Sequence, residues 1–121
     1  MVSSLNVGIA PEGLCSDGSR LYVCNTGGYQ FNYSNSFISV IDLNSFSVIE
    51  TIPVWTNPQF ACIYGNYLHI ACTGNWSNIS GKIDIISLED FSLVQRLDIG
   101  GHPGNIWINN FGIAYVGEGM S

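Results

Sequence analysis

Positive charge is nearly missing from this 121-residue chain: Arg20, Lys82 and Arg96 stand against nine carboxylates, for a formal net charge of −6. Phosphate neutralisation needs clustered cations, so the shortage argues against nucleic-acid binding and against attachment to anionic membrane surfaces. No uninterrupted apolar run reaches the about 18 residues that a membrane-spanning helix needs, so membrane insertion is not expected. Met1-Val2-Ser3-Ser4-Leu5 lacks the basic stretch and apolar core of a signal peptide. Histidine is limited to His69 and His102, and Cys15, Cys24, Cys62 and Cys72 show no C-x-x-C spacing. No convincing set of three or four metal ligands can be assembled, and the cysteines read as free thiols filling strands. No G-x-S-x-G elbow occurs, and Gly27-Gly28 and Gly100-Gly101 lack the strand-to-helix setting of a phosphate loop. No catalytic residue, metal ligand or cofactor is assigned.

What the chain has instead is apolar content, at 46%, with abundant Gly, Asn, Ser and aromatic residues, a mixture that suits short strands joined by turns. The stretch Ser16 to Asp42 sets the pattern. An Asp17-Gly18 turn separates two apolar runs, the second of which leads through Asn25-Thr26-Gly27-Gly28 and a polar loop into Ile38-Ser39-Val40-Ile41. The unit recurs as Gly65 to Cys72 followed by Lys82 to Leu88. Pro11, Pro58 and Pro103 each follow a strand end and a short link, and they stand 47 and 45 residues apart. Such spacing marks a tandem structural repeat.

Each proline opens a first strand, where a missing N–H is tolerated. First strands are expected at Gly13 to Ser16, Phe60 to Ile63 and Asn105 to Ile108, and second strands at Leu21 to Cys24, Leu68 to Cys72 and Ile113 to Val116. Third strands fall at Phe37 to Leu43 and Lys82 to Leu88, and fourth strands at Ser47 to Ile52 and Ser92 to Ile99. Many of these runs are apolar without alternation, which implies sheets covered on both faces. Four antiparallel strands per repeat, stacked on neighbouring repeats, predict an all-β β-propeller of about two and a half blades. A β-sandwich is the alternative, weakened because its strands do not recur in phase with such a repeat. The expected divisions are the end of a preceding blade over 1–10, blades over 11–57 and 58–102, and a partial blade over 103–121.

The pattern Ser-Asp-Gly-x-x-Leu-Tyr-Val-x-Asn, then Ile-Ser-Val-Ile-Asp, then Val-Ile-x-Thr-Ile-Pro-Val-x-x-Asn-Pro resembles the YVTN repeat of YVTN/lactonase-type β-propellers. Tyr22-Val23-Cys24-Asn25 carries Cys where that repeat often has Thr, and His69-Ile70-Ala71-Cys72 diverges further. The resemblance covers nearly the whole chain and implies a propeller, with an extracytoplasmic location, periplasmic or at the cell surface. Because a closed ring has about four to eight blades, these repeats imply completion by other blades of a longer chain or by other copies of itself. Two copies would supply about six blades.

In this architecture the links before each proline and the loops between second and third strands share one face around the channel. That face carries the ligand-binding candidates Tyr29, Phe31, Tyr33, Trp55, Trp76 and His102, aromatic or imidazole groups suited to a protein, peptide or glycan partner. Packing against blade edges is the competing account of Trp55 and of one or two tyrosines. His69, inside a strand, reads as a buried hydrogen-bonded imidazole; Asp42 as a turn stabiliser; Asp84 as a solvated position or a partner of Lys82. Three triplets, starting at Asn32, Asn75 and Asn78, match the N-glycosylation pattern but serve equally as polar loops. The functional expectation is a non-enzymatic recognition or scaffold module. A lactonase-like hydrolase and a self-assembling structural unit are its rivals.

Overall fold

The structure is a computed structural model, and it describes residues 4–118. Among them ten strands form three antiparallel sheets in chain order. The first sheet is β1 (Pro11–Ser16), β2 (Arg20–Asn25), β3 (Phe37–Asp42) and β4 (Ser47–Pro53), and the second is β5 (Pro58–Tyr64), β6 (Tyr67–Cys72), β7 (Lys82–Ser87) and β8 (Leu93–Leu97). A hairpin of β9 (Pro103–Ile108) and β10 (Ala114–Glu118) follows. The fold is therefore all-β, with repeating four-stranded, blade-like sheets. Each sheet runs strictly neighbour to neighbour, as consecutive antiparallel strands can pair without a crossover.

The repeat is written into the backbone as well as the sequence. The prolines pair with Asn25, Cys72 and Glu118 in the three first hairpins, and an irregularity in register lies beside each of those pairs. A second irregularity recurs between Val40 and Ile41 and again between Ile85 and Ile86. Such bulges bend and twist a strand. Ala10 and Asn57, each directly before its proline, are left-handed at φ 53° and 63°, and Phe46 and Phe91 match each other at φ 50° and 61° in the turns before β4 and β8. Residues that rarely adopt this conformation adopt it twice at equivalent places, so the tertiary packing of the repeat holds them there.

Two apolar clusters lie on opposite faces of the second sheet. Tyr22, Cys24, Ile38, Val40 and Ile52 of the first sheet pack on Leu68, Ile70, Cys72 and Ile86. Ala71 and Ile83 of the second sheet point the other way and pack on Ile106 of β9. The alternation along β6 follows from the two-residue period of a strand, and burial on both faces explains the continuous apolar run Ile70-Ala71-Cys72. The first strands adjoin one another, β5 packing against β1 on one side and β9 on the other. Gly13 of β1 is needed there: a Cβ would meet the backbone of Gln59 and Phe60.

The structure corrects several expectations. Residues 4–7 form no strand, although Val2 to Val7 reads as the tail of a preceding blade; Val2 and Ser3 lie outside the described residues. Among the described residues the third hairpin comprises β9 and β10 alone, and residues 4–7 do not pair with it. The chain instead enters along β2, where Gly8 N–H donates to Asn25 Oδ1 and the amides of Thr26 and Gly27 donate to the carbonyls of Ala10 and Ile9. The last second strand begins at Ala114 rather than Ile113 because its turn holds one more residue. Asn109 organises that turn, its Oδ1 accepting the amides of Phe111 and Ile113, with Gly112 left-handed at φ 81°.

Asp84 is neither solvated nor paired with Lys82. It is fully buried and receives both Arg96 Nε (2.7 Å) and Nη2 (2.9 Å), while Lys82 reaches Asp98 at 3.1 Å. The cause is register: Asp84 and Arg96 face each other across β7 and β8. His69 is set across from Cys62 and Ile85, and its Nδ1 is buried without a hydrogen-bond partner. Asp42 does stabilise its turn, accepting the Asn44 amide at 2.9 Å, and all four cysteines are free.

Candidate functional site

Antiparallel order brings the loops over 26–36 and 73–81 and the links over 54–57 and 98–102 to one end of the sheets. Backbone bonds stitch them together there. Gly74 N–H donates to the Thr56 carbonyl, Thr73 N–H to Asn57, and Gly81 N–H to Gly101; Asn57 Nδ2 donates to the Gly74 carbonyl at 3.0 Å. Thr73 Oγ1 donates to the Pro103 carbonyl at 2.7 Å. Most of these donors and acceptors would otherwise be orphaned in a buried junction, so the bonds make this end a rigid platform.

Three groups of candidate side chains stand on it. In the first loop a short 3₁₀ turn, Tyr29–Phe31, follows Gly27 and Gly28 at φ 90° and 86°. A Cβ on Gly27 would strike the Ser34 carbonyl, so glycine is required. Asn32, Tyr33 and Asn35 are all left-handed, and the Ser36 hydroxyl lies 2.7 Å from the Tyr33 carbonyl while accepting the Asn57 amide at 2.9 Å. This loop is held in an uncommon shape that presents Tyr29 78% and Phe31 50% exposed. Tyr33 meets Tyr29 edge to face, with ring centroids 6.1 Å apart.

The second group joins Trp76 and His102, which the sequence keeps 26 positions apart. Their ring centroids lie 4.8 Å apart. His102 Nδ1 is 2.9 Å from the Thr73 carbonyl, which can only accept, so Nδ1 carries the proton and Nε2 keeps the lone pair in the neutral ring. Glu118 Oε1 accepts the His102 backbone amide at 3.0 Å. Sequence reasoning missed Glu118; the signal was its place at the end of β10, matching Asn25 at the end of β2, whose side chain likewise accepts an amide of the entering link.

Trp55, the third candidate, serves packing. Its backbone amide donates to Asp84 Oδ2 and its indole N–H to the Ser80 carbonyl, both at 2.9 Å. Lys82 Nζ and the Arg96 guanidinium lie 4.9 and 5.1 Å from its ring centroid. The indole thus lies over the ion pair of buried Asp84 and exposed Arg96. The loop triplet at Asn75 also has a structural use: Asn75 is 5% exposed and its Oδ1 accepts the amides of Ser77 and Ile79.

The thiols are not arranged for nucleophilic chemistry. Burial pushes Cys15 and Cys24 up to about 12, and burial also raises Cys62 and Cys72, which keeps the reactive thiolate scarce at neutral pH. Among the described residues, no group of three or more His, Cys, Asp and Glu side chains is placed to hold a metal ion. No helix among them is long and apolar enough to cross a membrane.

No family model matches the chain, and no curated protein matches its sequence. Among solved structures, a chain of hydrazine synthase from Kuenenia stuttgartiensis is similar, with a TM-score of 0.68 and 27% identity over 84% of this chain. The match spans 28% of that longer chain.

Proposed function

We propose that the chain is a non-enzymatic recognition or scaffold module of β-propeller type, related to the YVTN-repeat group, which binds protein, peptide or glycan at its loop end. The observation that carries this reading is the presentation of Tyr29 and Phe31, exposed on a loop whose glycines and left-handed residues fix its backbone. Exposed aromatics on a preorganised backbone gain contact area on binding at little entropic cost. Trp76 and His102 extend the surface with a stacked indole and imidazole. Trp55 braces it from behind. The likeness to 28% of a longer hydrazine synthase chain supports a unit of this shape occurring within a larger protein. An extracytoplasmic location follows from the YVTN resemblance alone.

Glycan and peptide arrays probed with the purified chain test the reading. Alanine at Tyr29 or Phe31 is expected to weaken a captured ligand by about 10-fold or more, since aromatic anchors contribute on the order of 1–3 kcal/mol. Undiminished binding after Tyr29, Phe31, Tyr33 and Trp76 are all replaced would reject it. So would lactone or ester hydrolysis that disappears in His102→Ala.

A further inference from the structure

We infer that a second copy of this chain docks its β1 against the open face of the β9–β10 hairpin, so that copies associate head to tail. The inference goes beyond ligand recognition at the loop end and uses a different surface. It starts from one cross-strand position. Counting from the paired prolines, Cys15↔Tyr22, Cys62↔His69 and Trp107↔Tyr115 are the same pair in three successive hairpins. In the first, Tyr22 is fully buried and Cys15 packs with it against the second sheet. In the second, Cys62 packs in the cluster that Ile106 of β9 completes. In the third the pair is uncovered: Trp107 is 61% and Tyr115 54% exposed, their ring centroids 5.7 Å apart, beside a cavity of about 480 Å³.

What covers this position inside the chain is known twice over. It is the first hairpin of the following sheet, which presents Ala61 in one case and Ile106 in the other. The residue at that same register in the first sheet is Leu14, since Leu14↔Val23, Ala61↔Ile70 and Ile106↔Val116 are equivalent pairs. Leu14 is 62% exposed, whereas Val23 on the same face is already covered. Among the described residues, the first and last hairpins therefore carry the two sides of a contact made twice between neighbouring sheets, the first-sheet side being open at Leu14 while Val23 and Ile41 beside it are buried. Leu14 of one copy and the Trp107–Tyr115 pair of another are those two sides, and bringing them together repeats the meeting of β1 with β5 and of β5 with β9. The interface is heterologous, so association propagates until it closes or runs on. Each copy carries a net charge of −6, so added salt is expected to favour the contact by screening repulsion.

Sedimentation velocity on the full chain, over a concentration series at low and high salt, reads the outcome. Wild type is expected to shift from monomer to multimers, more so at high salt. Leu14→Asp and Trp107→Ser each remove one half and are expected to stay monomeric; Tyr115→Ser is the substitute should Trp107→Ser fail to fold by circular dichroism. An equimolar mixture of Leu14→Asp and Trp107→Ser keeps one intact half on each chain, and it is expected to form a dimer and stop. Wild type that stays monomeric throughout, multimers unaffected by either substitution, or a mixture that does not dimerise would each overturn the inference.

Discussion

At the scale of single residues, Asp84 shows how one position can hold two sheets together. Its carboxylate accepts two bonds from Arg96 within the second sheet and one from the Trp55 amide, which follows the last strand of the first. Hydrogen bonding to Asp84, before any other influence, raises the Arg96 guanidinium above its ordinary value. Removing one partner of a buried pair costs about 3–5 kcal/mol. Arg96 is 33% exposed and can regain water, so Asp84→Ala is expected to lose about 2–3 kcal/mol, read as a lower urea midpoint. His69 supplies a pH dependence. Burial lowers its pKa below 6.5, although bonds to backbone act in the opposite sense. The unfolded chain then binds the proton more readily, so stability is full above about pH 6.5 and falls as pH drops through the lower folded-state value. Thermal melts between pH 8 and pH 5 should show that decline, and His69→Tyr, the residue found at this register in β2 and β10, should flatten it.

Among the elements, strands were legible and their joins were not. Prolines, Asx-Gly turns and apolar runs located β1 to β9 within a few residues, because backbone pairing and turn chemistry are local properties. The β9–β10 turn escaped by one position, since a side chain, Asn109, closes it around an extra residue. The loop over 73–81 depends on an approach invisible in its own sequence. Gly81 donates to the Gly101 carbonyl, and a Cβ on it would enter the Pro103 ring and crowd the Cys72 carbonyl. The ring cannot yield as a flexible side chain would. Gly81→Ala is therefore expected to cost about 1–3 kcal/mol through overpacking, seen in the denaturant midpoint, with faster amide exchange at Thr73 and His102 if the junction opens.

On the scale of the whole molecule, the two apolar clusters on either face of the second sheet distinguish side-by-side repeats from a two-layer sandwich. The same repetition leaves Leu14 at one end and Trp107 at the other uncovered, and the association experiment belongs to this scale because neither residue means much alone. Of the candidate site, the sequence announced the aromatics but not their groupings. Tyr29 and Tyr33 are near neighbours in the chain, whereas Trp76 meets His102 only because the second sheet and the third hairpin adjoin. By itself the sequence determined the repeat, the strands, the turns and the two-faced burial, since period, proline position and glycine demand are properties of neighbouring residues. Only the tertiary structure decided that Asp84 is buried under Trp55, that His69 lacks a partner at Nδ1 and that His102 is held between Trp76 and Thr73. Those outcomes depend on which strand of a different hairpin lies opposite each side chain, and that is set by packing between sheets.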